Sequence, residues 1–239
     1  MLNLSESGLV AQNIQEIIDD LLIDPLSNDF DNNGVVDVQD ASTLLISNAV
    51  QMANPDLSGF ELSNVNFQGS NDALFFIESF KVDPIFAFEG GILLSTGGLP
   101  GPVNTEGNFT VAHGVPGNSL LDMVAMEAFE GSGATNDAAV LEFDLTITNS
   151  DIDGISFDIV FGSDEFPEFS NSSFVDIAAV FVNGQNFALF NYNPDTSLSV
   201  IDENLNTGNF IDNTEGSFSI EYDGFSFASL IDHTSFEVI

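Results

Sequence analysis

One basic side chain, Lys81, stands among 38 aspartates and glutamates. A chain like this can form almost no internal ion pairs. Each carboxylate must stay in water, accept hydrogen bonds from neutral donors, or share a cation taken from solution. The formal charge of −37 opposes compaction. Yet 44% of the residues are hydrophobic and 24 are phenylalanine, far too apolar for a disordered acidic tail. The sequence therefore specifies a large phenylalanine-rich core beneath a very acidic surface. Nucleic acid and anionic membrane surfaces are excluded as partners, because phosphate binding requires clustered Lys and Arg. No apolar run reaches the length of a membrane span, so direct membrane insertion is not expected. Cysteine is absent, which removes disulfides and thiol chemistry and leaves bound metal as the available staple.

Residues 29–40, Asp-Phe-Asp-Asn-Asn-Gly-Val-Val-Asp-Val-Gln-Asp, fit a twelve-position calcium loop. Asp29, Asp31 and Asn33 occupy positions 1, 3 and 5, and Gly34 takes the sharp turn at 6. Val35 offers its carbonyl at 7, Asp37 stands at 9 and Asp40 at 12. Ca²⁺ is a hard ion that takes six to eight oxygens, and alternate residues folding inward supply them. Val36 is expected to point the other way, into the core. The flanks read as helices: Leu9, Val10, Ile14, Ile17, Ile18, Leu21 and Leu22 before the loop, with Ser5 or Ser7 as N-cap, and Val38, Ala41, Leu44 and Leu45 after it, to about Met52. Asp40 replaces the longer Glu usual at position 12, a departure that resembles the dockerin variant of the EF-hand. A lone loop suits a structural staple better than a sensor, and an acidic turn without metal is the simpler alternative.

Beyond Met52 the periodicity changes from 3.6 to 2. Ala139, Leu141, Phe143, Leu145 and Ile147 alternate with Val140, Glu142, Asp144 and Thr146, and Ile155, Phe157, Ile159 and Phe161 with Ser156, Asp158 and Val160. Weaker runs recur at 60–67, 73–80, 91–95, 177–182, 187–190, 217–222 and 235–239, divided by Asn, Gly, Asp and Pro. The expected fold is mainly β, an antiparallel β-sandwich with a small N-terminal helix-loop-helix. Residues 1–55 form the helical calcium-loop segment packed on a β-sandwich ligand-binding domain at 56–239. The segment from Leu99 to Gly133 is long and rich in Gly and Asn, with a short helix expected over Leu120 to Phe129. Such loops are uncommon in compact domains unless they serve a function.

Three stretches then stand in order: Gly91-Ile-Leu-Leu-Ser-Thr-Gly97, Asn136-Asp-Ala-Ala-Val-Leu-Glu-Phe-Asp144, and Phe161-Gly-Ser-Asp-Glu-Phe-Pro-Glu-Phe169, the last followed by Val175-Asp176 and Gly184. Together they resemble the choice-of-anchor L domain family of bacterial surface proteins, over roughly residues 55–235. Asp164, Phe166 and Val175 depart from the Glu, Tyr and Asn of the family pattern. The resemblance implies a module of a secreted cell-surface adhesin with no known catalysis. Extracellular placement on the bacterial surface is expected, with the chain an excerpt of a longer protein whose secretion signal lies elsewhere.

The third stretch is also an acidic constellation. Strand ends bring such loops to one rim, where Asp164, Glu165, Glu168 and Asp176 are expected to converge with Asp137. Crowded carboxylates repel unless a cation or a shared proton compensates, and calcium is the expected compensation, so Asp137, Asp164, Glu165 and Asp176 are candidate metal ligands. Ser95, Thr96, Gly97, Asn104, Ser163 and Glu168 are candidate ligand-binding residues. The leading reading is a calcium-dependent adhesion module gripping a peptide or glycan on a host or neighbouring cell. Its rival is a calcium-stiffened spacer without a pocket. A glycoside hydrolase using the same carboxylates is disfavoured: Trp is absent, and Tyr192 and Tyr222 are the only tyrosines to serve as sugar platforms. No enzymatic activity is expected.

Overall fold

The computed structural model describes residues 8–30, 34–53, 60–88, 90–104, 111–149, 152 and 155–232. The chain runs β1 (Gly8–Asn13), α1 (Ile14–Leu21), α2 (Pro25–Asn28), α3 (Val38–Ala53), β2 (Phe60–Gln68), β3 (Leu74–Val82), β4 (Phe86–Phe88) and β5 (Gly91–Leu94). It continues through α4 (Ser119–Ala128), β6 (Val140–Ile147), β7 (Ile155–Ser163), β8 (Ile177–Ala178), β9 (Phe181–Val182), β10 (Gln185–Asn186), β11 (Leu198–Ser199), α5 (Asp202–Asn206), β12 (Ile211–Asp212) and β13 (Gly224–Asp232). The protein is mainly β, and every ladder among the described strands is antiparallel.

The strong alternations become the long ladders. Strand β6 pairs with β2, and β7 pairs along its whole length with β13, from Ile155 opposite Asp232 to Ser163 opposite Gly224. Strand β3 carries β1 on one side and β4 and β5 on the other. Helices α1 and α3 share one buried cluster with β3 and with β2 of the β2/β6 pair: Ile14, Ile17, Leu21, Val36 and Leu45 pack with Phe67 and Leu74. Val36 faces inward, as its place in the loop pattern requires. A second cluster gathers Phe161, Phe166, Phe190, Leu198 and Val200, and a third holds Val82, Ile220 and Phe225. Edge-on phenylalanine pairs tie the third together, Phe80 to Phe86 at 4.9 Å and Phe218 to Phe225 at 5.5 Å.

Three expectations are corrected. Leu9 and Val10 lie in a strand, and the first helix starts only at Ile14. Asn13 fixes that start: its side chain accepts the Glu16 N–H at 3.0 Å, and the Glu16 carboxylate accepts the Asn13 N–H at 3.2 Å. Residues 217–222 are not a strand, because the buried Asn213 side chain takes their hydrogen bonds. Its Nδ2 donates to the carbonyls of Ile220 and Tyr222 at 3.0 and 2.9 Å, and its Oδ1 accepts the Phe218 N–H at 2.8 Å. Residues 187–190 likewise give a single bridge, Leu189 to Ser197, and then a 3₁₀ turn at Phe190–Tyr192. The N-cap candidates Ser5 and Ser7 and the strand expected at 235–239 lie outside the described residues. The helix expected at 120–129 is α4, whose N-cap Asn118 accepts from Leu120 and Leu121.

Candidate functional site

The acidic rim is assembled from four separate segments. Strand β7 ends at Ser163, whose hydroxyl donates to Asp176 Oδ2 at 2.6 Å and accepts the Glu165 N–H at 2.9 Å. The turn at 164–168 is thereby folded over the strand end. From the far side, Asp223 enters just before β13, and its N–H donates to Asp164 Oδ1 at 3.1 Å. Asn104 closes the circuit, donating to Asp223 Oδ1 at 2.6 Å and to the Asn213 carbonyl at 3.0 Å.

Two glycines permit this approach. Gly162 faces the Tyr222 ring so closely that a Cβ there would collide with it. Gly224, opposite Ser163 in the ladder, meets the Phe166 ring in the same way. Phe166 stacks on Phe210 at 5.5 Å and is 7% exposed, which accounts for a ring without a hydroxyl where the family pattern has Tyr.

Burial and mutual repulsion dominate the electrostatics. Desolvation, then Asp176 and Glu168, push Glu165 from 4.5 up to about 7. Burial raises Asp176 even though the Ser163 hydroxyl opposes the shift. Asp223 is raised by burial against the Asn104 hydrogen bond, with Glu168, Asp212 and Glu221 adding repulsion. Tyr222 is held well above the usual phenol range by burial and by Asp164 and Asp176. No Lys or Arg answers them: Lys81 on β3, the only Lys or Arg of the chain, pairs with Asp83 just beyond the strand at 2.8 Å.

Among the residues expected here, Asp164, Glu165, Glu168 and Asp176 come together, and Ser163 and Asn104 join them. Asp137 acts elsewhere. Its carboxylate accepts the Val115 N–H at 2.7 Å, with its backbone at φ 49°. Ser95 folds a local turn, its hydroxyl accepting the Gly97 N–H and donating to the Gly98 carbonyl, while the Gly97 carbonyl meets His113 Nε2 at 2.6 Å. Thr96 is exposed beside them. Asn213, Tyr222 and Asp223 complete the rim without a motif of their own; the acidic run Glu221-Tyr-Asp-Gly224 is the one sequence signal that marks them.

A family model for the Choice-of-anchor L domain matches residues 35–236. The chain belongs to the Choice-of-anchor L domain family. No curated protein and no solved structure matches it. Membership makes this Choice-of-anchor L domain a bacterial surface-associated module, and no helix among its described residues is long and apolar enough to cross a membrane.

The N-terminal loop of this Choice-of-anchor L domain is described at both ends, while Asp31 and Asn33 lie outside the described residues. Gly34 adopts φ +91°, and its N–H donates to Asp29 Oδ2 at 2.8 Å, the tight turn a calcium loop needs at that position. Asp40 is fully buried, its two oxygens accepting the N–H groups of Phe30 at 2.6 Å and Asp37 at 2.9 Å. Asp37 accepts the Gln39 N–H at 2.8 Å and so starts α3. Val35 is 62% exposed. The side chains described here offer only hard oxygen, the kind of donor that Ca²⁺ takes. Among the described residues, no three Asp, Glu, His or Cys side chains are grouped as ligands of one ion.

Proposed function

We propose that this domain is a calcium-dependent adhesion module that grips a peptide or glycan on a host or neighbouring cell at the carboxylate rim. The observation that carries the reading is the crowding of Glu165, Asp176 and Asp223 with no basic side chain beside them. Such a cluster is stable only when protonated or matched by a cation from solution, so its charge state answers to what binds there. An extracellular medium supplies that cation as Ca²⁺. The N-terminal loop adds a separate requirement: Asp29, Asp31, Asn33, the Val35 carbonyl, Asp37 and Asp40 would hold an ion that secures α1 and α3 on the sheet. The rim is read as a binding face rather than a catalytic one.

The test is an array of peptides and glycans probed with calcium and with chelator, using the wild type, Asp176→Asn and Asp31→Ala. Calcium-dependent capture is expected for the wild type and for Asp31→Ala, and loss of it for Asp176→Asn with the fold retained by circular dichroism. Capture unaffected by both chelator and Asp176→Asn would overturn the reading. Global unfolding of Asp176→Asn together with no capture by the wild type would favour the calcium-stiffened spacer.

A further inference from the structure

Helix α4 is apolar on both of its sides. The inner side holds Val124 and Ala125, 7% and 2% exposed, and the helix lies against β8. The outer side carries Leu120, Met123 and Met126 at 49%, 66% and 58% exposure. Spaced by three, these side chains form one ridge along the helix, the kind into which a second helix packs. A helix that is apolar all round belongs between two layers. Among the described residues, α4 is covered on one side alone.

Looseness does not account for the exposure. Asn118 caps the first turn by accepting the Leu120 and Leu121 N–H groups at 2.9 and 3.3 Å. Asp122 accepts both the N–H and the hydroxyl of Thr135 at 2.6 Å, which ties that turn to the chain leading into β6. The ridge therefore stands on a fixed support. Two of the four methionines of the chain sit on it, and methionine is the flexible, polarisable side chain that adapts to a partner's surface.

The charges around the ridge are all of one sign. Between residues 111 and 139 the charged side chains are Asp122, Glu127, Glu130 and Asp137. Thr135 engages Asp122 and the Val115 N–H engages Asp137, whereas Glu127 and Glu130 are exposed and form no ion pair among the described residues. Glu127 also lies in the last turn of α4, where the partial negative charge of the helix end disfavours a carboxylate. A cation brought from outside relieves both.

We propose that the outer side of α4 is a docking surface for a cationic amphipathic helix of another protein. The partner's apolar face covers Leu120, Met123 and Met126, and its Lys or Arg side chains meet Glu127 and Glu130. A second copy of this chain brings the same acidic flank and is repelled, as is an anionic lipid surface. No residue of the carboxylate rim takes part, so the surface stands whether or not the rim binds calcium.

The probe is a fluorescently labelled helical peptide of Leu, Ala and Lys, about 18 residues long, with one apolar face. A peptide of the same composition, scrambled to leave no apolar face, reports what net charge alone attracts. Anisotropy with the 239-residue chain at physiological salt is expected to show the amphipathic peptide bound about tenfold more tightly than the scrambled one. Met123→Gln with Met126→Gln is expected to remove that advantage and leave the scrambled peptide unaffected. Gln keeps the helix propensity of Met, so the fold is expected to persist, and Met123→Leu with Met126→Leu should bind as wild type. Glu127→Gln with Glu130→Gln is expected to weaken the amphipathic peptide about threefold. Glu61→Gln with Glu78→Gln, the same change of charge at exposed positions elsewhere, is expected to change little. Equal binding of the two peptides by wild type, binding unchanged by Met123→Gln with Met126→Gln, or equal effects of the two glutamate pairs would each overturn the proposal. Wild type that ignores the peptide and instead dimerises in sedimentation, or floats with phosphatidylcholine vesicles, would overturn it in favour of a second copy or a neutral membrane.

Discussion

Gly162 shows how much one missing methyl group decides. Its position on β7 faces the Tyr222 ring, whose phenol lies within electrostatic reach of Asp164 and Asp176. Gly162→Ala forces either the ring or the strand to move, an overpacking that costs about 1–3 kcal/mol. Chemical denaturation should register that loss, and a Gly114→Ala control should show no collision, since nothing lies within 4 Å of the Cβ position there, although its φ of +73° adds some backbone strain. Glu165 makes a second test at this scale. Its folded pKa of about 7 lies above its ordinary 4.5, so the folded state holds its proton the more tightly. The stability it contributes is therefore full below about 4.5 and is lost as pH rises through about 7. In chelated protein, wild type should lose stability across that window, and Glu165→Gln should lose less of it; parallel profiles would contradict the upward push on Glu165 from burial and, behind it, Asp176 and Glu168.

At the scale of elements, buried asparagines take the place of strand partners. Asn213, 1% exposed, bonds three backbone groups of 218–222 and so converts an alternating segment into a stapled loop. Asn204, also 1% exposed, donates to the carbonyls of Ser197 and Ser199 beside β11. Asn213→Ala is expected to strand those buried groups, at about 1–3 kcal/mol for each one left without a partner. Hydrogen exchange should show the loss concentrated at 213–223 before the β7/β13 ladder. These residues also explain what could be read from the sequence and what could not. β6 and β7 follow from alternation alone, and α4 from its apolar run. The segment Ser217-Phe-Ser-Ile-Glu-Tyr222 alternates just as well, and only a side chain from outside the window diverts it. The rim is legible where the motif at 161–169 carries it, whereas Tyr222 and Asp223 are marked only by the short run Glu221-Tyr-Asp-Gly224, and Asn213 reaches the rim through tertiary contacts. Leu9 and Val10 were ambiguous because a short apolar run serves a strand or a helix equally, and Asn13 settles the boundary.

Over the whole molecule, one ion pair among the described residues faces a formal charge of −37. Self-repulsion on that scale is screened by salt and relieved further by bound divalent ions. Melting temperature should rise as sodium chloride is added to chelated protein, and calcium should raise it further at matched ionic strength. Equal effects of sodium and calcium at matched ionic strength would mean screening alone, with no bound ion. The melting curves should be read for calcium concentration dependence, since a ligand that binds only the folded form stabilises in proportion to the logarithm of its concentration.

The ladder between β7 and β13 has a kinetic meaning as well. These strands are far apart in sequence, so their union closes a long loop and is slow by nature. Tyr222 and Asp223 arrive on the segment that leads directly into β13. A nascent or half-folded chain with β7 already formed thus has Ser163, Asp164 and Asp176 but lacks the partners that gather them. The rim comes into being in the same event that completes the sheet, and an immature copy of the domain lacks it.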